Sequence, residues 1–263
     1  MSETVAFMLP GMERVQVRRD LAYKPGEGAP WLLDLYLPGD YQEGDTPRPA
    51  VISIHGEAQI NTPTDMKERG QYTSWARLVA ACGLIGVTFN HRASQECTRL
   101  QDPAEDIDDV VRYLRTQVRE VDAKRLGIWV CSAGGDYGLR AAYRMHTSSV
   151  RCVVAYYAMV NPLVYREMLP ATIDEAILRE FSPEAYLNEH AETLSPLLLV
   201  RAGRDAGMNR AIDPFIQRAI AQNLPLELIN HPEGQHAFDV REDTPRLRAI
   251  VQRTLDFLTL HLS

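Results

Sequence analysis

Three polar residues, Ser132, Asp205 and His236, each follow shortly after a short apolar run: 126–131 (LGIWVC), 196–201 (PLLLVR) and 225–230 (PLELIN). Their types fit one kind of chemistry. A serine hydroxyl is a weak nucleophile until an imidazole takes its proton, and a carboxylate both orients that imidazole and stabilises its charged form. Around the serine the chain reads WVCSAGGDYG, residues 129–138. A residue squeezed between a strand and a helix is forced into strained backbone geometry, so its neighbours at −2 and +2 must be small. Gly134 satisfies +2. Val130 at −2 departs from the glycine usual there, so a neighbouring element has to give way by about a side chain, and the turn is expected to be working but slightly reshaped. Such a turn also aims the N–H of the next residue, Ala133, and the following helix N-terminus at one point, where negative charge is stabilised.

Each role has a rival nearby. Centring the turn on Cys131 places Trp129 at −2, which is far too bulky. His231 ends a strand directly and precedes Pro232, a restrained position, whereas His236 has a loop to move in and Phe238 to anchor it. Asp213 lies just before Pro214 in a helical segment, where a first-turn role suffices. Asp102, Asp106, Asp108 and Asp109 resemble a metal cluster only superficially. On the first turns of a helix they complement its dipole, and neither a metal nor a cofactor is expected. Arg92 is expected to brace loops by pairing with a carboxylate.

The elements that must position these residues are legible from periodicity. Residues 14–23 and 31–37 alternate apolar and polar, as half-buried antiparallel strands do. The runs 50–54 and 84–89 read as buried strands, and 126–131, 150–158, 196–201 and 225–230 as further strands. Helical spacing covers 73–82, 104–120, 134–145, 211–222 and 244–261. That makes a single domain over 1–263 with an eight-stranded, mostly parallel sheet flanked by helices. In such sheets the ligand site lies beyond the carboxyl ends of the strands, which is where Ser132, Asp205 and His236 fall.

Composition narrows the function classes. The net charge of −7 over 263 residues argues against a nucleic-acid or anionic-membrane partner, both of which need a basic surface. The longest apolar run, 78–89, is too short to cross a bilayer. The first residues, MSETVAFMLPGMERV, lack a basic segment followed by an apolar one, and the four cysteines form no C-x-x-C pair. Both features point to a cytoplasmic protein with free thiols. The partner expected is a small-molecule substrate, and homo-oligomerisation stays open.

With these pieces assembled, the chain resembles the α/β-hydrolase superfamily, in particular its small esterase/lipase or dienelactone-hydrolase-like serine hydrolases. The resemblance rests on Ile54-His55-Gly56, Asn90-His91-Arg92, Asp122 to Arg125, Ser132-Ala133-Gly134-Gly135, Gly203-x-Asp205 and Gly234-x-His236-x-Phe238, in that order over nearly the whole chain. It implies a nucleophile, acid and base in Ser132, Asp205 and His236, with an oxyanion hole from the N–H groups of Gly56 or Glu57 and of Ala133. Many relatives have glycine where Glu57 stands; its carboxylate either lies near the pocket and disfavours anionic substrates or turns to solvent. The resemblance also places a small helical cap at 159–194, between the sixth and seventh strands. Leu163, Tyr165, Met168, Leu169, Phe181 and Tyr186 are its candidate pocket residues, some of which must serve ordinary helix packing. The implied activity is hydrolysis of carboxylic esters of small to medium size through an acyl-enzyme on Ser132. Peptide, lactone or thioester cleavage on the same residues stays open, as does a non-catalytic ligand-binding protein of this fold.

Overall fold

The computed structural model describes residues 4–27, 29–57, 66–145, 149–187 and 191–263. Eight strands form one sheet: β1 (Gln16–Lys24), β2 (Trp31–Leu37), β3 (Arg48–Ile54), β4 (Ile85–Phe89), β5 (Val121–Cys131), β6 (Val150–Tyr156), β7 (Leu197–Ala202) and β8 (Leu226–His231). They lie in the order β1-β2-β4-β3-β5-β6-β7-β8. β1 pairs antiparallel with β2, and β2 antiparallel with β4, while every other pairing is parallel. The chain passes from β3 outward to β4 and then returns to the other side of β3 as β5. The loops leaving β3 and β5 therefore diverge in topology and face each other across the switch point, the place where open α/β sheets hold ligands.

Period-two alternation splits the buried side chains between the faces. On β5, Leu126, Ile128 and Val130 enter one core while Trp129 and Cys131 enter the other. The first core is covered by α2 (Gln101–Gln117), α3 (Gly134–Met145) and α5 (Ala206–Ala221), the second by α1 (Gly70–Ala81) and α7 (Pro245–Leu262). Trp75 of α1 stacks on Trp129 at a ring-centroid distance of 4.4 Å. This contact uses the large side chain that excludes Cys131 as the centre of the turn. Among the described residues no helix is long and apolar enough to cross a membrane.

Several boundaries differ from the sequence expectation for physical reasons. β6 stops at Tyr156 rather than 158, because Tyr157 adopts a left-handed φ of 37° and turns the chain. α2 starts at Gln101, with Pro103 inside its first turn, and ends at Gln117. α5 begins at Ala206 rather than 211: Asp205 caps it, its carboxylate accepting from the Met208 N–H at 3.3 Å, and the helix runs on through Pro214. Pro214 looked like a helix-opening residue, and it sits instead in the interior. Within 159–194 the described residues include short pieces, 3-10 turns at Pro162–Met168, Pro183–Tyr186 and Ala191–Thr193 and the helix α4 (Glu175–Glu180). Residues 188–190 of that segment lie outside the described residues.

Candidate active site

Ser132 follows β5 directly and has φ 51°, the left-handed backbone expected of a residue wedged between strand and helix. The strained turn is pinned on both sides. The Ser132 N–H donates to the Tyr156 carbonyl at 3.3 Å, and the Ser132 carbonyl accepts from Met159 at 2.7 Å and Gly135 at 3.1 Å. The glycine at +2 is required by proximity, since a Cβ on Gly134 would stand 2.8 Å from the His55 carbonyl oxygen. At −2, Val130 is accommodated by a third element. A Cβ on Gly138, one turn into α3, would lie 2.5 Å from Val130 Cγ1. The helix that follows the serine thus yields the space the valine takes.

β7 and β8 carry the other two residues to the same end of the sheet. Asp205 Oδ2 and His236 Nδ1 are 2.6 Å apart. Burial works to raise the Asp205 carboxyl, but the hydrogen bond from His236, the Met208 N–H and the charge of the imidazole outweigh it and hold the group below its ordinary value. Asp205 is therefore an anion beside the imidazole and at the same time the cap of α5. No hydrogen bond joins Ser132 Oγ to His236 among the described residues. Catalytic hydrogen bonds are commonly long in free enzymes and tighten with substrate.

The rivals are engaged elsewhere. Burial pushes the Cys131 thiol up to about 12, and its sulfur lies 3.6 Å from Tyr72 Oη; a thiol so held is not a thiolate nucleophile at neutral pH. His231 is buried, with Nε2 2.8 Å from Glu242. Asp213 forms a fork with Arg201 at 2.6 and 3.0 Å. Arg92 holds Asp106 through Nε and Nη2 at 2.8–3.1 Å and reaches Asp102 and Glu105. Asp106 also bonds Lys24, so the acidic start of α2 is occupied by basic side chains.

The loop after β3 lies against Ser132: a Cβ on Gly56 would stand 2.9 Å from Ser132 Cβ. The Gly56 N–H donates to Tyr72 Oη at 3.2 Å. Among the described residues nothing accepts from the N–H of Glu57 or of Ala133, and these two flank the serine from the β3 and β5 loops. The Glu57 carboxylate has partners of its own. It is tied down by the Ser94 hydroxyl at 2.6 Å and the Gln95 N–H at 2.9 Å, so it braces its own loop against the turn after β4. Beneath the loop, the rings of His55 and His91 stack at 3.4 Å with both Nδ1 atoms on backbone carbonyls.

The candidate pocket residues divide. Leu163, Tyr165 and Leu169 are half-buried against the core, and the Tyr165 hydroxyl donates to the Gly207 carbonyl at 2.5 Å beside the acid's helix. Met168 is 74% exposed and faces solvent. Phe181 is fully buried in the core beneath the Arg140 guanidinium, 4.2 Å from its ring, and Tyr186 packs on Tyr143. These last three do not line a pocket, because helix packing and solvent claim their side chains. The sequence reading missed the polar groups behind the histidine. Tyr157 sits with its ring centroid 4.8 Å from that of His236, its hydroxyl tied to a buried Asp239 three residues past the histidine. An acid in the apolar stretch AFDV was the one available signal.

Comparison with known proteins places the fold. The described sheet and helices superpose on esterase B of Lactobacillus rhamnosus strain HN001 with a TM-score of 0.74, at 17% identity over 94% of this chain and 86% of that one. A truncated carbohydrate esterase from gut microbiota gives 0.72 at 18% identity, covering 94% and 96%. Esterase 2 of Thermogutta terrifontis, phosphorylated by paraoxon, gives 0.68 at 16%, covering 95% and 92%. At these identities the likeness is one of fold. In sequence, 158 residues are 23% identical to a non-reducing polyketide synthase of Aspergillus terreus, 56% of this chain but 6% of that one. A second such synthase, from Acremonium egyptiacum, matches at 21% over 59% of this chain and 7% of its own length. The BD-FAE family model matches residues 33–206, from β2 through the Ser132 turn to the Asp205 loop and the start of α5. The chain is therefore a member of the BD-FAE family, built on the α/β-hydrolase fold.

Proposed function

We infer that this protein is a serine esterase acting on carboxylic esters of small to medium size. The observation that carries the reading is the 2.6 Å Asp205–His236 contact, made at the same end of the sheet as a serine held in left-handed backbone. In this scheme His236 takes the Ser132 proton as the hydroxyl attacks the ester carbonyl. Asp205 fixes the imidazole through Nδ1 and stabilises the imidazolium. The N–H groups of Glu57 and Ala133 hold the oxyanion, in place of the Gly56 N–H, which Tyr72 occupies. The imidazolium protonates the departing alcohol, and His236 then activates a water that hydrolyses the acyl-enzyme. Esterases among proteins of the same fold support the reaction class, and the slight build of the 159–194 segment supports modest substrates.

The test is labelling by a fluorophosphonate probe with mass mapping, followed by an ester panel on the same preparation. Labelling at Ser132, lost in Ser132→Ala together with p-nitrophenyl acetate hydrolysis, is the expected result. Labelling that persists in Ser132→Ala moves the nucleophile elsewhere, and folded protein with neither labelling nor turnover favours a binding role. Thioester cleavage on the same residues is a second reading, favoured by the likeness to segments of two polyketide synthases. Matched ester and thioester substrates separate the two.

A further inference from the structure

We propose that Asp239 and Tyr157 are positioning residues for His236, a carboxylate-anchored wall that keeps the imidazole in its working orientation. The inference rests on the reading of Ser132 and His236 as nucleophile and base.

Asp239 is completely buried in α6 (Phe238–Arg241), the single turn that follows the histidine loop. Its Oδ1 accepts from the Tyr157 hydroxyl at 2.6 Å. Its Oδ2 accepts from Gln71 Nε2 at 2.9 Å and from Trp75 Nε1 at 3.1 Å. Gln71 Nε2 also donates to the Tyr157 hydroxyl at 2.7 Å, which closes a ring of three side chains. Three elements remote in sequence meet here: α1, the turn after β6, and the turn after His236.

The cluster has no part in the acyl-transfer steps, yet it is costly. A buried carboxylate is hard to retain where an apolar side chain of similar volume fills the space at lower cost, and burial does push this carboxyl above its ordinary value. All three donors are neutral, so no ion pair offsets the desolvation. What the arrangement fixes is the Tyr157 ring. That ring stands against His236 at 4.8 Å and 57° on one side and against Phe238 at 5.4 Å and 84° on the other. Tyr157 itself has φ 37° and Ala237, directly after the histidine, has φ 60°. Left-handed residues persist only where their surroundings over-determine them, and the Tyr157–Asp239 bond ties these two together. Asp205 holds one ring nitrogen of His236 from the α5 side. Tyr157, anchored through Asp239, stops the ring from swinging about that single bond.

The experiment compares wild type, Ser132→Ala, Tyr157→Phe and Asp239→Asn for the rate of fluorophosphonate labelling, kcat, KM and the downfield His236 Nδ1–H proton resonance. Wild-type labelling abolished by Ser132→Ala first establishes the reading on which the inference rests. The expected result is then a fall of about ten- to a hundredfold in kcat and labelling rate in both variants, with KM unchanged and the Nδ1–H resonance broadened or lost. Wild-type rates and an intact resonance in folded Tyr157→Phe overturn the proposal while leaving the esterase reading standing. A raised KM at unchanged kcat also overturns it, because Tyr157 then lines the substrate site instead. Should Asp239→Asn fail to fold, Tyr157→Phe decides alone, since it keeps the ring and the core volume.

Discussion

If α3 gives way to Val130 at Gly138, then refilling that space must be felt by the valine. In Gly138→Ala the new methyl starts 2.5 Å from Val130 Cγ1 and 3.1 Å from Ile54 Cδ1, where ordinary contact is 3.4–4 Å. Overpacking of this kind costs about 1–3 kcal/mol. Replacing a mid-helix glycine by alanine returns about 0.5–1 kcal/mol through backbone entropy. The net expectation is a loss of about 1–2 kcal/mol, or roughly 2–8 °C in Tm at about 2–4 °C per kcal/mol for a chain of this size. In a Val130→Ala background the nearest atom is gone, and the same Gly138→Ala change becomes neutral or stabilising. The coupling between the two sites is therefore about 2 kcal/mol, well above the ~0.3–0.5 kcal/mol scatter of independent mutations. Urea unfolding of the four proteins completes the cycle. Gly138→Ala stabilising the wild-type background, or effects that add within ~0.5 kcal/mol, would refute the claim that this glycine accommodates the valine. Because the strain is absorbed in the helix rather than at the serine, Val130→Gly should lower stability without raising ester turnover. An increase in kcat would mean that Val130 does displace Ser132.

Other expectations are more direct. Asp205→Asn removes the anion that orients His236 and should cut kcat by about 10³–10⁴-fold, on the scale of acid removal in triads of this type; a loss under tenfold would deny Asp205 its role. Glu57→Gln, which weakens the tether to Ser94 and Gln95, should lower kcat by about tenfold with Tm nearly unchanged if the Glu57 N–H serves the oxyanion; unchanged kcat would argue that it does not. The His55–His91 stack sets an acid limit on stability. Burial above all holds His91 down to about 4 and His55 well below its ordinary value. Between about pH 6.5 and 4 the unfolded chain takes up a proton that the folded His91 refuses, so stability falls as pH drops through that window. The loss approaches about 3 kcal/mol for His91 alone. Asp205, whose carboxyl is held low in the fold, loses its contribution only below the ordinary carboxylate range, and the two phases separate in a Tm-versus-pH series. A flat profile from pH 7 to 5 would contradict the burial of the imidazole pair.

How much of this was legible in the sequence depended on how local each cause is. Ser132, Asp205 and His236 were readable because each stands just past an apolar run, and the strand pattern alone puts such positions at one end of the sheet. The last six strands were readable as short, largely apolar runs, and the two antiparallel ones, β1 and β2, from their alternation. The accommodation of Val130 was not, because it depends on an atom eight residues away across a helix–strand contact. The Glu57 tether needed the turn after β4, whose residues Gln95, Glu96 and Cys97 all have positive φ with no glycine to announce it. Asp239 was visible only as an acid among apolar residues, and its donors lie 164–168 and 82 positions earlier in the chain. The faces on which Met168 and Phe181 lie were not readable, because a 3-10 turn and a six-residue helix hold too few residues for periodicity to assign one.

Ser132, Tyr157 and Ala237 share one backbone feature: each is a non-glycine residue in the left-handed region, Tyr157 and Ala237 beside the His236 imidazole and Ser132 in the turn after β5. At about 1–3 kcal/mol apiece, they hold a sum comparable to a large part of the stability of an ordinary domain. Backbone strain is therefore held around the proposed base as well as in the turn after β4. Substitutions chosen to relax those three positions would be expected to raise thermal tolerance while eroding turnover. Stability is better sought at distant sites such as the α7 surface, where no backbone is held against its preference.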